Sequence, residues 1–263
     1  MKYALQLYGQ LRTFQESLPS LLKFIDYYNK DYDVFLLIDK HNTKNYIVNS
    51  NPNYSDENMQ RLLEILIKDR IKSIMYIDSM TTNDILTEEQ IKVNYNMLWS
   101  KFNTKYGNIT RNDFVCSLKY RTYLLNNLRL DYEKLSGTVY NYVVRSRFDY
   151  GALDINKAYD INEKNTPILF SDCLTIASAD FINTESKLGL IYPFTPKCLY
   201  DEDCNLLVEK YKKYENWRGD KFIDKNWIFM PELNQRLFLL EQGFTFIEAW
   251  WETPCNYGFK IIR

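Results

Sequence analysis

Histidine is almost absent from this chain. The single one, His41, lies in a polar stretch, which leaves Ser-His-Asp and Cys-His catalysis without support. Glycine is scarce, at eight in 263 residues, and no GxGxxG, Walker A or protein-kinase signature occurs, so the usual glycine-rich phosphate cradles are missing. The five cysteines, Cys116, Cys173, Cys198, Cys204 and Cys255, are odd in number and lack CxxC spacing. They indicate neither a disulfide framework nor a zinc site, and a reducing compartment fits them. No sign of charge dominates: 33 basic residues face 34 acidic ones, and the basic ones are scattered, which removes the footprint of a nucleic-acid binder. No apolar run approaches a membrane span, and no charged segment followed by a long apolar run opens the chain. The expectation is a cytosolic protein without a transmembrane segment.

What is present is an ordinary globular balance, with 46% hydrophobic and 25% charged residues, sufficient for a packed core. Nothing reads as a linker, so the expectation is a single domain over residues 1–263. Aromatics are 16%, including 22 Tyr; Trp217, Trp227, Trp250 and Trp251 offer flat faces on which a sugar can stack, although core packing is the default for any one of them.

Residues 3–7 read as a short buried strand. Gly9, Gln10, Leu11, Arg12 and Thr13 then form a loop before a helix beginning near Glu16. Gly9 allows close approach of backbone to a ligand, and Gln10, Arg12 and Thr13 supply donors. Leu18, Leu21, Leu22 and Ile25 make an apolar helix face, and residues 33–39 read as a fully buried strand that ends in the carboxylate of Asp39. After a polar loop over residues 42–55, Met59, Leu62, Leu63, Leu66 and Ile67 recur with helical spacing across residues 56–69. A strand over residues 71–78 follows and ends in Asp78. Strands alternating with helices predict a mostly parallel sheet covered by helices on both faces.

A helix is predicted over residues 87–102, where Thr87 and Gln90 have capping-box spacing, and a longer one over residues 112–132. On the longer helix Phe114, Leu118, Leu125, Leu128 and Tyr132 fall in one stripe. Arg121 sits within that stripe and needs a partner, either a buried carboxylate or a ligand phosphate. Residues 142–150 then run Tyr-Val-Val-Arg-Ser-Arg-Phe-Asp-Tyr. In an extended strand Val143, Arg145, Arg147 and Asp149 share one face, while Val144, Ser146, Phe148 and Tyr150 share the other. Ligands of open α/β sheets collect beyond the carboxyl ends of the strands, so this charged strand end fits an anion site. A solvent-exposed Arg–Asp pair fits the same residues.

Several of these segments, taken in order, resemble the GT-A-type glycosyltransferases of bacterial and viral polysaccharide and lipopolysaccharide assembly, the WavE-like transferases among them. They are Gly9-Gln10-Leu11-Arg12-Thr13-Phe14, Asp33-Val34-Phe35, Ser117-Leu118-Lys119 and residues 142–149, with a weaker echo in Phe170-Ser171-Asp172, Ile176, Pro231-Glu232, Leu233, Leu237 and Leu240. The resemblance implies a Rossmann-type three-layer α/β/α sandwich. Residues up to about 150 would bind a nucleotide-sugar donor, and the remainder would bind a saccharide or glycan acceptor. It also implies the cytosol of a bacterium or of a virus-infected host cell.

In that family a DxD motif at a strand end holds a divalent metal on the donor diphosphate. The corresponding place here is Arg147-Phe148-Asp149, with only the last acid present. The resemblance therefore implies Asp149 as ligand of Mn²⁺ or Mg²⁺, ions that commonly bind through one or two carboxylates plus phosphates and water. Arg121, Arg145 and Arg147 would neutralise the departing diphosphate, and Arg12 and Asp39 would sit near the nucleoside. An inverting transferase also needs a carboxylate to take the acceptor proton. Asp172, after a short strand over residues 168–170, and Glu232 are the candidates. Asp154 and Asp160 lie in loop-like sequence, and the acidic run Asp201-Glu202-Asp203 reads as a solvated loop. A non-catalytic nucleotide-sugar or glycan-binding protein of the same fold is the alternative expectation.

Overall fold

The computed structural model describes residues 2–11, 13–40, 55–78, 110–152, 167–170, 174–191, 231–244, 246–249 and 259–261. The elements in chain order are β1 (Tyr3–Gly9), α1 (Phe14–Tyr28), β2 (Tyr32–Asp39), α2 (Asp56–Ile65), β3 (Ile71–Ile77), α3 (Thr110–Ser136), β4 (Tyr142–Arg147), β5 (Tyr150–Ala152), β6 (Ile168–Phe170), β7 (Leu174–Ser178), α4 (Ala179–Ser186), α5 (Leu188–Ile191), α6 (Pro231–Glu241), β8 (Ile247–Ala249) and β9 (Phe259–Ile261). The chain divides into two compact units. The first joins Met1–Ser79, Leu124–Asn183 and Thr245–Arg263; the second joins Met80–Tyr123 and Thr184–Phe244.

The first unit is built on a seven-stranded sheet of order β3-β2-β1-β4-β7-β6-β8. β1 pairs in parallel with β2 and with β4, and β2 pairs in parallel with β3. β7 is antiparallel to both β4 and β6, while β8 is parallel to β6. Every strand except β7 therefore points the same way, and the predicted mostly parallel α/β sheet is present. β5 leaves this sheet to pair with β9 in a two-stranded antiparallel ribbon.

Alternation along the strands explains the layers. Tyr3, Leu5 and Leu7 of β1, Val34, Leu36 and Ile38 of β2, and Tyr142 and Val144 of β4 lie in one apolar cluster with Leu18, Leu21, Phe24 and Ile25 of α1 and Met59 and Leu62 of α2. The opposite residues of the same strands face α3. Gln6 donates to the Leu125 carbonyl at 3.5 Å, and the Phe35 ring meets Tyr132 edge-on at 5.7 Å. Helices thus cover both faces of the sheet.

Three expectations need correction. The helix predicted to reach residue 69 ends at Ile65, followed by a 3-10 turn, Lys68–Arg70. Ile67, expected on the apolar face, is 53% exposed with φ +58°, because the chain reverses there to enter β3. The strand predicted over residues 142–150 breaks after Arg147, and Phe148 and Asp149 form a turn into β5. On α3, Leu128 and Tyr132 are only partly buried, while Asn126 and Arg129 are buried with Leu125. The buried stripe of that helix is polar, because the strands beneath it present Gln6 and Arg145.

In the second unit, Lys119, Gln235 and Glu185 form a buried chain: the Lys119 ammonium donates to the Gln235 carbonyl oxygen, and the Gln235 amide donates to Glu185. Gly189 of α5 lies so close to α3 that a Cβ there would fall 2.5 Å from the Lys119 carbonyl oxygen and from the Tyr123 Cβ.

Candidate functional site

The chain passes from β1 outward to β2 and β3, then returns on the other side of β1 to form β4. That reversal makes the carboxyl ends of β1 and β4 a topological switch point, the place where open α/β sheets bind ligands. The residues around it are Gly9 at the end of β1, Asp39 at the end of β2, and Arg147 with the Phe148–Asp149 turn at the end of β4. Register aligns Tyr8 with Arg147 and Gly9 with Ile38.

Gly9 has φ +106°, a conformation that side-chain-bearing residues rarely adopt. Nothing lies within 4 Å of a Cβ built there, so backbone conformation, not crowding, requires the glycine. Thr13 precedes α1 and accepts from the Glu16 and Ser17 amides at 3.0 and 3.1 Å. Gln10 is partly buried in the intervening loop.

The turn after β4 is fixed from three directions. The Phe148 amide donates to the Tyr8 carbonyl at 3.1 Å, which extends the ladder by one bond. The buried Ser17 hydroxyl of α1 reaches the Phe148 carbonyl as well as that of Thr13. Phe148 and Tyr150 anchor their rings in the apolar cluster. Between them, Asp149 accepts two hydrogen bonds from Arg147, Nε to Oδ1 at 2.8 Å and Nη2 to Oδ2 at 2.6 Å. This planar two-pronged arrangement is the strong form of an ion pair.

Arg145 lies two residues back and is buried, with its Nε donating to Gln6 Oε1 at 3.0 Å. Gln6 also reaches Asn126 Oδ1 at 3.4 Å, and Asn126 accepts from the fully buried Arg129 at 3.1 Å. Arg129 pairs with Glu133 at 2.6 Å and donates to Asn183. Burial holds the Arg129 guanidinium below its usual pKa, and Glu133 opposes that shift. Sequence reasoning missed Gln6, Ser17 and Arg129. A glutamine centred in the apolar run of β1 was the legible sign of this polar layer.

Asp39 is buried at the end of β2, whereas Asp78, just past β3, is exposed. Lys40 lies with its ammonium 5.6 Å from the Tyr76 ring centre. Arg121 is a buried α3 residue of the second unit. Glu232 falls on α6, with its side chain outside the description. Arg12, His41, Asp154, Asp160, Asp172, Asp201, Glu202, Asp203, Trp217, Trp227, Trp250 and Trp251, the helix expected over residues 87–102 and the loop over residues 42–54 lie outside the described residues. The structure thus gathers Gly9, Asp39, Arg147 and Asp149 at one sheet edge, with Arg145 beneath it.

No family model matches the chain, and no curated protein matches it. Among solved structures it is similar to the mannosyltransferase Ktr4p from S. cerevisiae, with TM-score 0.36 and 16% identity over 92% of this chain. It spans about half of that protein, 52% of its length. So loose a likeness assigns neither an activity nor a residue role here.

The divalent ion expected at Asp149 would meet a carboxylate that is already engaged. Both carboxylate oxygens are hydrogen-bonded to Arg147, and among the described residues no group of three or more His, Cys, Asp or Glu side chains converges. As arranged, Asp149 does not fit an Mn²⁺ or Mg²⁺ ligand, because the ion would first have to evict a guanidinium.

Proposed function

We propose that the protein is a glycosyltransferase that moves a sugar from a nucleotide-sugar donor to a hydroxyl of a saccharide or glycan acceptor. The observation that supports this most is the arginine-bearing carboxyl edge at the switch point between β1 and β4, joined to the ordered sequence segments that resemble GT-A-type enzymes. A diphosphate leaving group needs positive charge that is already in place as its own charge develops, and a partly exposed guanidinium at a strand end offers it. Gln10 and Thr13, in the loop after β1, would supply donors to the nucleotide, and Asp39 at the end of β2 would accept from a ribose hydroxyl. Asp172 or Glu232 would take the acceptor proton.

The test is a thermal-shift screen of nucleoside diphosphates and nucleotide sugars, followed by assay of nucleoside diphosphate release with saccharide acceptors. A ligand that binds only the native state raises the melting temperature, so one nucleotide family is expected to stabilise the protein. Turnover of its sugar conjugate should fall about tenfold or more in Asp149→Ala, as befits loss of a charged, hydrogen-bonded group. Binding without turnover would favour the second reading, a non-catalytic nucleotide-sugar or glycan-binding protein. The presence of one acid in place of two at residues 147–149 favours that reading.

A further inference from the structure

We propose that Ser17 is a positioning residue for the nucleotide ligand: its buried hydroxyl fixes Phe148, and through Phe148 it sets the segment from Gly9 to Thr13 against the Phe148–Asp149 turn. The identity of the ligand rests on the nucleotide-sugar reading above; the role of Ser17 rests on geometry. The Phe148 amide donates to the carbonyl of Tyr8, the residue just before Gly9, at 3.1 Å. The Phe148 carbonyl accepts from the hydroxyl of Ser17, in the first turn of α1. One residue of the turn is therefore held from both ends of the loop that follows β1. Ser17 itself is fully buried, so its influence on a ligand passes through the backbone it holds.

The hydroxyl has one proton and two carbonyls within reach, that of Phe148 and, at 3.0 Å, that of Thr13. The Thr13 carbonyl already accepts the Glu16 and Ser17 amides at 3.0 and 3.1 Å, which occupy its two lone pairs. The proton therefore belongs to Phe148. On α1 the neighbours Phe14, Leu18 and Leu21 all lie in the apolar cluster that holds the Phe148 ring. Alanine at position 17 would suit that helix better and bury no hydroxyl, so what the serine adds is its bond. An outside tie also matters to α1, because Pro19 lies inside the helix and lacks the N–H that would reach the Gln15 carbonyl.

The experiment combines calorimetric titration with UDP, GDP, ADP and CDP, each with and without Mn²⁺, and amide hydrogen exchange. It uses the full chain as wild type, Ser17→Ala, Ser17→Cys and Tyr140→Phe, each held well below its own melting temperature. Tyr140→Phe is the control, since it removes a buried hydroxyl bond to Asp33, in the same unit but at the amino end of β2. Ser17→Ala should weaken the nucleotide that the wild type binds by about fivefold or more. It should also speed exchange at residues 10–13 and 149–150, while Tyr140→Phe leaves both readouts as in the wild type. Ser17→Cys, whose thiol is a weak donor, should fall between. Wild-type affinity in Ser17→Ala, or a loss that Tyr140→Phe matches, overturns the proposal and leaves the transferase reading standing. If Ser17→Ala does not fold, Ser17→Cys takes its place under the same criterion. A wild type that binds none of the nucleotides overturns both.

Discussion

Tyr140 and Asp33 show how single buried groups set the pH range of this fold. Asp33, at the amino end of β2, accepts from the Tyr140 hydroxyl and pairs with Lys2 at 2.8 Å and Lys72 at 3.6 Å. Burial first, and the Asp33 carboxylate second, push the Tyr140 hydroxyl up from its usual pKa. Tyr32 is pushed up mainly by burial, and Lys2 mainly by its hydrogen bond to Asp33. All three shifts have the same consequence. Their stabilisation is fully present below the unfolded-state values, about pH 10, and is lost as pH rises, because the unfolded chain releases protons that the native one retains. Denaturant titrations from neutral pH to about pH 11 should therefore show falling stability above about pH 10. Tyr140→Phe should flatten that slope while losing about 1–2 kcal/mol at neutral pH. An unchanged slope would remove Tyr140 from the account. Gly9 is the second residue whose identity is dictated locally. With φ +106° and open space around it, Gly9→Ala should cost about 1–3 kcal/mol of stability through backbone strain alone, read as a lower denaturant midpoint at unchanged slope.

At the scale of elements, the contrast between α5 and α1 separates packing from pattern. α1 declares itself through Leu18, Leu21 and Ile25. α5 is four residues, Leu188–Ile191, and its placement depends on a missing side chain: a Cβ at Gly189 would press on the α3 backbone at Lys119 and on the Tyr123 Cβ. Neither atom is the mobile end of a side chain, so Gly189→Ala should destabilise the protein by about 1–3 kcal/mol by overpacking, and Gly189→Val by more; melting temperatures that do not move would show that the two helices can separate there. The same contrast explains what could be read from sequence. β2 was legible because Val34 to Ile38 are all buried and all apolar. The end of α2 was not, since Ile67 keeps the helical spacing that the chain abandons two residues earlier. The buried face of α3 was also hidden, because Asn126 and Arg129 look like surface residues until Gln6 and Arg145 are placed beneath them. At the site, the charges of β4 were visible as a strand end, and the inferred alternation put Val144, Phe148 and Tyr150 on one face; all three lie in the apolar cluster. The turn at Phe148–Asp149 was not visible, because what draws the chain away is β9, about a hundred residues later.

That distant pairing governs the molecule as a whole. The unit carrying the candidate site is assembled from three separated segments, and its last segment contributes β8 beside β6 and β9 beside β5. Contacts between segments so far apart in sequence impose loop-closure entropy before they return any stabilisation. Once formed, they hold the short β5, which follows directly from the Asp149 turn and whose Tyr150 lies in the core. A chain ended after Phe244 would lose both β8 and β9. The backbone edges of β6 and β5 would be left without those strands, and exposed edges recruit other chains. The truncated protein is expected to unfold with a shallower denaturant slope than the full chain, in keeping with less surface buried, and to associate in size-exclusion chromatography. If it instead remained monomeric with the full chain's slope and midpoint, the ribbon of β5 and β9 would be dispensable. The Asp149 turn would then owe its position to Tyr8, Ser17 and the buried ring of Phe148 alone.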